Sequence, residues 1–192
     1  VKVESFFVAS DIIQRFKHPP RSAEMGIETE RRFLPKNDTW RSHIVASRPL
    51  EQGYLNTGKE VAVRIRKDGK QSFLTIKGSG NGLSRHEFEY SIPDDDANQI
   101  LTLLCAERKI KKTRYIVPWE NHTWEIDVFE GENNGLIICE LELKSENETF
   151  SVPPWAGEEI TGIGRYSNAA LATHPFSSWV QETNRPCRGD TP

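Results

Sequence analysis

Ile27-Glu28-Thr29-Glu30-Arg31-Arg32-Phe33-Leu34 carries Glu28, Glu30 and Arg32 on every second position. A period of two is the strand period, so these three side chains share one face of a sheet. The pattern returns four times: Val61-Ala62-Val63-Arg64-Ile65-Arg66, Arg85-His86-Glu87-Phe88-Glu89-Tyr90, Trp124-Glu125-Ile126-Asp127-Val128 and Cys139-Glu140-Leu141-Glu142-Leu143. Four acidic pairs and one basic pair thus lie far apart in the chain, each on its own strand face. If those faces converge, they form a pocket with opposed acidic and basic walls. Such a pocket suits a divalent metal bound to a polyanion.

Working outward, the first strand spans about Gly26 to Leu34 and stops at Pro35, and Asp38 can cap a short helix near Thr39–Ala46. Further strands are expected at Leu50–Asn56, Lys59–Lys67, Gln71–Lys77 and Ser84–Ile92, with Asp68-Gly69 as a hairpin turn. Asp94-Asp95-Asp96 opens a helix ending near Cys105, since acids suit a helix N-terminus. Strands resume at Lys109–Val117, His122–Phe129 and Leu136–Ser145. Helical pattern follows near Trp155–Ile160 and from Arg165 to Thr173. Some eight strands, mostly hairpin-linked, with three or four helices outside them, predict a mainly β (α+β) fold: an antiparallel barrel or strongly curved sheet. Its charged faces line the interior. The apolar faces, Val61/Val63/Ile65, Trp124/Ile126/Val128 and Ile137/Cys139/Leu141/Leu143, then need cover from helices or a second subunit, which makes a homodimer an expectation.

The 192 residues suffice for one domain with a sizeable core. A net charge of -3 argues against general nucleic-acid binding. With 28% charged residues and a mean hydropathy of -0.61, and no apolar run of bilayer length, no membrane span is expected. Val1–Phe7 shows no signal-peptide pattern, and Cys105, Cys139 and Cys187 are odd in number and widely spaced, so a reduced, cytoplasmic setting is expected. Residues 1–24 read as an extension, non-native or flexible, residues 25–176 as the domain, and residues 177–192 as a flexible polar tail.

Any single acidic pair is also compatible with a solvated strand face; four pairs facing a basic pair are harder to place that way. Clustered carboxylates repel one another and are costly to desolvate. Oxygen-only donors without a Cys or His set favour Mg²⁺ or Mn²⁺ over Zn²⁺. Arg64, Arg66 and Lys77 share one face of a hairpin and Arg114 lies on a later strand; guanidinium forks suit bidentate phosphate contacts. Salt bridges across the sheet are the alternative use of these bases, and both uses can hold. Gly162-Ile163-Gly164 lacks the context of a dinucleotide fingerprint, there is no P-loop, and the five histidines show no ligand spacing, His86 being expected to pack on an apolar face.

Glu28-Thr29-Glu30-Arg31-Arg32 resembles the E-x-E-x-K signature of the CYTH superfamily, the triphosphate tunnel metalloenzymes. Arg64-x-Arg66 and Lys77 resemble its basic strands, Glu87-x-Glu89 its middle acidic strand, and Glu125-Ile126-Asp127 and Glu140-Leu141-Glu142 its late acidic strands. Thr161–Leu171, with Gly164-Arg165-Tyr166-Ser167-Asn168, resembles the closing segment of short bacterial members. The resemblance covers about Met25 to Phe176. It implies an eight-stranded antiparallel barrel forming a charged tunnel, a small-molecule triphosphate substrate, and Mg²⁺ or Mn²⁺. It implies metal ligands at Glu28, Glu30, Asp127, Glu140 and Glu142. Phosphate contacts are implied at Arg64, Arg66, Lys77, Arg114 and Arg165, with Glu87, Glu89 and Glu125 lining the tunnel. Removal of a terminal phosphate, with inorganic tripolyphosphate as substrate, is the activity it favours, and Glu28 or Glu142 is a candidate to position the attacking water. A class IV adenylate cyclase, a thiamine triphosphatase and a non-catalytic polyphosphate- or nucleotide-binding module are the alternatives. One position departs: the signature Lys falls at Arg32, which keeps the charge and can contact phosphate but never acts as a proton acceptor.

Overall fold

The computed structural model describes residues 26–57, 60–69, 71–80 and 83–183. In chain order these form β1 (Ile27–Pro35), a 3-10 turn (Thr39–His43), β2 (Ala46–Thr57), β3 (Val61–Asp68), β4 (Gln71–Gly80) and β5 (Ser84–Ile92). Helix α1 (Asp94–Leu103), β6 (Lys109–Trp119), β7 (His122–Phe129), β8 (Ile137–Leu143), β9 (Ala156–Glu159), α2 (Asn168–Leu171) and α3 (Phe176–Thr183) follow. The strands neighbour one another in the order β5-β4-β3-β2-β6-β7-β8-β1, and β5 pairs back onto β1. Every pairing is antiparallel, so eight strands close into a barrel, as the alternation predicts. The closing seam is its shortest pairing: Ile27 with His86, Glu28 with Arg85 and Thr29 with Ser84.

Register brings the charges together. Glu30 lies opposite Glu142 and Arg32 opposite Glu140 across β1–β8; Arg114 faces Asp127 across β6–β7, and Lys77 faces Glu87 across β4–β5. Because side chains alternate, the residues between them point outward and build the core around the barrel rather than within it. Phe33, Trp124, Ile126, Cys139, Leu141 and Leu143 form one outer cluster, covered by Trp40 of the 3-10 turn and by Trp155. Trp124 and Trp155 meet edge to face, ring centres 5.2 Å apart. A second outer cluster packs α1 on β3 and β4 through Ile65, Ala97, Leu101 and Cys105. Gly53 of β2 permits this approach: a Cβ there would stand 2.7 Å from Leu101 Cδ2 and 2.8 Å from Cys105 Sγ. At one end the inward face itself becomes apolar, with Ile110, Phe129 and Ile138 packed against Ile160, Tyr166 and Leu171 of the C-terminal segment.

Four local expectations change. Trp155–Ile160 is not helical; Ala156–Glu159 is the short strand β9, laid along β1 beyond the point where β5 leaves it. Lys36 donates its N–H to Trp155 O at 2.9 Å and Ile160 donates to Arg32 O at 2.8 Å, so an open sheet edge captures a short run whose apolar pattern fits either period. The expected helix at Thr39–Ala46 is a 3-10 turn ending at His43, after which β2 begins. The tail expected to be flexible from residue 177 begins inside α3, where Trp179 packs against Tyr166 at 5.1 Å. His86 is exposed on the outer face of β5, in line with Phe88 and Tyr90, which are themselves 47% and 52% exposed. Residues 1–24 and 184–192 lie outside the described residues. Among those described, no helix is long and apolar enough to cross a membrane.

Candidate active site

The barrel encloses a cavity of about 320 Å³ whose walls include Glu28, Glu30, Arg32, Arg64, Arg66, Lys77, Glu87, Glu89, Arg114, Glu125, Glu140 and Glu142. Twelve of the fourteen side chains expected at the site therefore meet there. They arrive from seven positions in the ring because each strand delivers its even-spaced face to the lumen.

The basic wall is β3, β4 and β6. Arg64 is 7% exposed; its guanidinium donates to Thr75 Oγ1 at 3.0 Å and reaches Glu89 at 3.4 Å. Arg66 forks onto both oxygens of Glu89 at 3.0 and 3.1 Å. Lys77 lies 2.8 Å from Glu28 and 3.2 Å from Glu87. Arg114 donates to both oxygens of Asp127 at 2.7 Å, to Glu140 at 2.6 Å, and also pairs with Glu125.

The acids fall into two groups. Asp127 is fully buried behind Arg114 and Lys112 and is not part of the cavity wall. Burial alone would raise its pKa; Arg114 and Lys112 outweigh burial and hold it far below the usual carboxylate range. Both oxygens of Asp127, a metal ligand by the family resemblance, are taken by these cations, and in this arrangement it anchors the two bases. Glu28 is held by Lys77 and Arg85, and Glu30 by Arg32 at 2.9 Å and Arg85 at 3.1 Å. Glu140 contacts Arg32 at 3.1 Å as well as Arg114. Glu142 differs: among the described residues no cation pairs with it. Partial burial, then the nearby charges of Glu28, Glu125, Glu87 and Glu30, push its pKa up to about 7. Arg32 keeps its proton firmly: burial opposes the charge, but Glu30 and Glu140 outweigh it and raise the pKa.

Arg165 is not brought to the cavity. It is exposed on the C-terminal segment, its guanidinium 4.5 Å from the Trp179 ring centre and 5.1 Å from that of Tyr166. Stacking on two aromatic rings holds it outside. Conversely, Lys112, Arg85 and Arg48 belong to the charged lattice although they were not singled out from the sequence. Lys112 is 2% exposed, pairs with Asp127 and donates to Asn168 of α2 at 3.2 Å. Its signal was parity: it stands two residues before Arg114 on the same strand face. Arg85 stands two before Glu87. Arg48 spans from Asp68 at 3.2 Å to Glu125 at 3.4 Å.

Glu28, Glu30, Glu140 and Glu142 are hard oxygen donors on adjacent strands, a donor set that fits Mg²⁺ or Mn²⁺. Among the described residues no three acids are already gathered around one point. Their spacing is set by the Lys and Arg side chains between them.

A closed antiparallel barrel with a lumen of opposed acidic and basic walls defines a class of protein built to hold a polyanion inside a tunnel. A CYTH domain model matches residues 26–173, and the chain belongs to the CYTH domain family. It is 42% identical over 157 residues to an inorganic triphosphatase of Acetivibrio thermocellus, covering 82% of this chain and 100% of that protein. To an inorganic triphosphatase of Nitrosomonas europaea it is 39% identical over 150 residues, 76% of this chain and 96% of that one. A solved inorganic triphosphatase structure superposes with a TM-score of 0.55 at 34% identity, over 76% of this chain and 93% of that chain.

Proposed function

We propose that this chain is a metal-dependent triphosphatase that hydrolyses the terminal phosphate of inorganic tripolyphosphate, giving pyrophosphate and orthophosphate. The observation that carries this is the enclosure of Arg64, Arg66, Lys77 and Arg114 opposite Glu28, Glu30, Glu140 and Glu142 in one cavity. The inorganic triphosphatases similar over most of the chain support it.

Phosphoryl transfer depends mainly on positioning and charge stabilisation. The basic wall supplies both. Arg64 and Arg66 present forks for phosphate oxygens, and their counter-ion Glu89 is held by Thr75 as well. Arg114 is fixed by Asp127, so it enters the reaction preorganised rather than searching rotamers. Mg²⁺ or Mn²⁺, held by Glu28, Glu30 and Glu140, would supply neutralisation of phosphate charge and orientation of the reacting oxygens. Glu142 is the acid without a cation partner, so its carboxylate is free to orient a water and accept its proton as the water oxygen bonds the terminal phosphorus and the bond to the pyrophosphate oxygen breaks. Arg32, unable to give up its proton, serves as a phosphate contact and as the counter-ion of Glu30 and Glu140.

The test is orthophosphate and pyrophosphate release from tripolyphosphate with Mg²⁺, with Mn²⁺ and with EDTA, beside ATP and thiamine triphosphate. Metal-dependent release fastest from tripolyphosphate, lost in Glu140→Ala, is the expected result. Tight tripolyphosphate binding without turnover in either metal would replace the enzyme with a binding module, the alternative that Arg32 favours. Release of pyrophosphate and a cyclic nucleotide from ATP would point to a cyclase.

A further inference from the structure

Arg85 lies opposite Glu28 at the barrel seam, and one guanidinium bridges the two acids of the first strand. Its Nε–H donates to Glu28 Oε2 at 2.8 Å and its terminal nitrogen to Glu30 Oε1 at 3.1 Å. These are two of the hard oxygen donors assigned above to the divalent cation. A guanidinium and a dication cannot both sit between the same two carboxylates: each neutralises the pair, and together they repel.

Arg85 also differs from the cations of the basic wall in having a place to go. The Arg64 and Arg114 side chains are each 9% exposed, enclosed by the lattice they anchor. The Arg85 side chain is 27% exposed. It stands where the lumen meets a second opening of about 320 Å³, bounded by Glu28, Glu30, Gly80, Leu83, Thr161 and Ser167. The seam there is three residue pairs long, so rotation of the side chain into that opening leaves most of the barrel ladder untouched.

We propose that Arg85 is an internal competitor for the divalent cation. It holds Glu28 and Glu30 in place and neutral to one another, and it turns into the side opening when Mg²⁺ or Mn²⁺ takes the pair. The cation affinity of the site is then set by how readily Arg85 lets go. This rests on the metal assignment in the preceding subsection.

The test is Mn²⁺ binding without any phosphate, by calorimetry and by loss of free-Mn²⁺ paramagnetic resonance signal, on wild type, Arg85→Gln and Arg85→Lys. Losing a charge-assisted contact of this kind corresponds to a change of at least about tenfold. Arg85→Gln should therefore bind Mn²⁺ at least about tenfold more tightly, while Arg85→Lys, which keeps the charge, stays close to wild type. Unchanged or weaker Mn²⁺ binding by folded Arg85→Gln would overturn the proposal, as would absence of Mn²⁺ uptake by all three proteins. A seam staple alone predicts lower thermal stability with no gain in affinity. Should Arg85→Gln fail to fold, the wild-type protein decides. The Arg85 Nε–H resonance, held by Glu28, should shift and exchange faster on adding Mg²⁺; a resonance unmoved at saturating Mg²⁺ rejects displacement. Tripolyphosphate hydrolysis is scored separately. Hydrolysis with an unaltered Arg85→Gln affinity defeats only this inference, and a tighter Arg85→Gln site with no hydrolysis defeats only the enzymatic reading.

Discussion

The two acidic walls of the tunnel are built from the same residue types but on opposite terms. On the β6–β7 side, Asp127 is fully buried and its oxygens are taken by Arg114 and Lys112. On the β1–β8 side, Glu28 and Glu30 are shared among several cations, and Glu142 among the described residues has none. A carboxylate whose partners are fixed and buried is scaffold. One that is unpaired, or paired to a movable side chain, is available for a ligand. Sharing the sheet, the two walls divide the work in the proposed reaction: the first would fix the bases that grip phosphate, and the second would stay exchangeable for cation and water.

Removing the scaffold acid should have the largest effect. Asp127→Ala leaves Lys112 and Arg114 buried without their main counter-charge. Breaking a buried pair in this way costs about 3–5 kcal/mol. Thermal unfolding should move down by about 10 °C or more for a chain of this size, and activity should fall with it, since Arg114 loses its fixed position. A melting temperature within a degree of wild type would mean that the wall is not locked.

Glu142→Gln tests the other wall. The variant keeps the shape of the side chain and removes the proton acceptor. Turnover should fall by about 10²–10⁴-fold, the range for a general base, with thermal stability equal to or above that of wild type. A turnover loss matched by a large stability loss would put Glu142 among the scaffold acids.

Arg64→Ala separates grip from chemistry. A charge-assisted contact is worth about 1.5–3 kcal/mol, so KM for tripolyphosphate should rise by roughly tenfold to a hundredfold, by the same principle, with a smaller change in kcat. An equal fall in kcat at constant KM would mean that Arg64 acts only in the transition state.

Much of this division was legible in the chain, and the part that was not has a physical cause. Alternation places Glu28, Glu30, Arg64, Arg66, Glu140 and Glu142 on lumen faces without any structure, because a strand has only two faces and the other is filled with Phe33, Ile65, Trp124 and Leu141. Alternation is silent on depth along the strand. Asp127 and Glu125 share a face, yet one is fully buried and the other lines the cavity, and only the register across β6 decides which. Arg165 stands apart from the cavity: its place at the site rests on likeness of sequence, and nothing local reveals the aromatic pair against which it packs. Lys112 and Arg85 were in reach: the parity that selected Arg114 and Glu87 selects them too.

The smallest expected effect is on stability against pH, and its sign follows from the same contrast. Glu142 has its folded pKa raised to about 7 against an ordinary 4.5. Between those values the folded chain holds a proton that the unfolded chain has lost. Its contribution is therefore fully present below about pH 4.5 and is lost as pH rises to about 7. Asp127 behaves in the opposite sense: its depressed pKa adds stability above the ordinary carboxylate range, and this is lost only as strong acid protonates it. Glu142 is only partly withdrawn from solvent, which screens both the burial and the repulsion that raise its pKa, so its slope should be shallow. Melting curves of wild type and Glu142→Gln, taken in EDTA at half-unit steps from pH 4.5 to 8, should converge at the acid end and separate toward pH 7, with Glu142→Gln the more stable above. Divalent cation should close the gap, because a dication relieves the repulsion that the substitution removes. A gap that reverses on adding Mg²⁺, leaving wild type the more stable, would mean that Glu142 is itself a principal ligand, and the free carboxylate would then belong with Glu28 and Glu30 rather than apart from them.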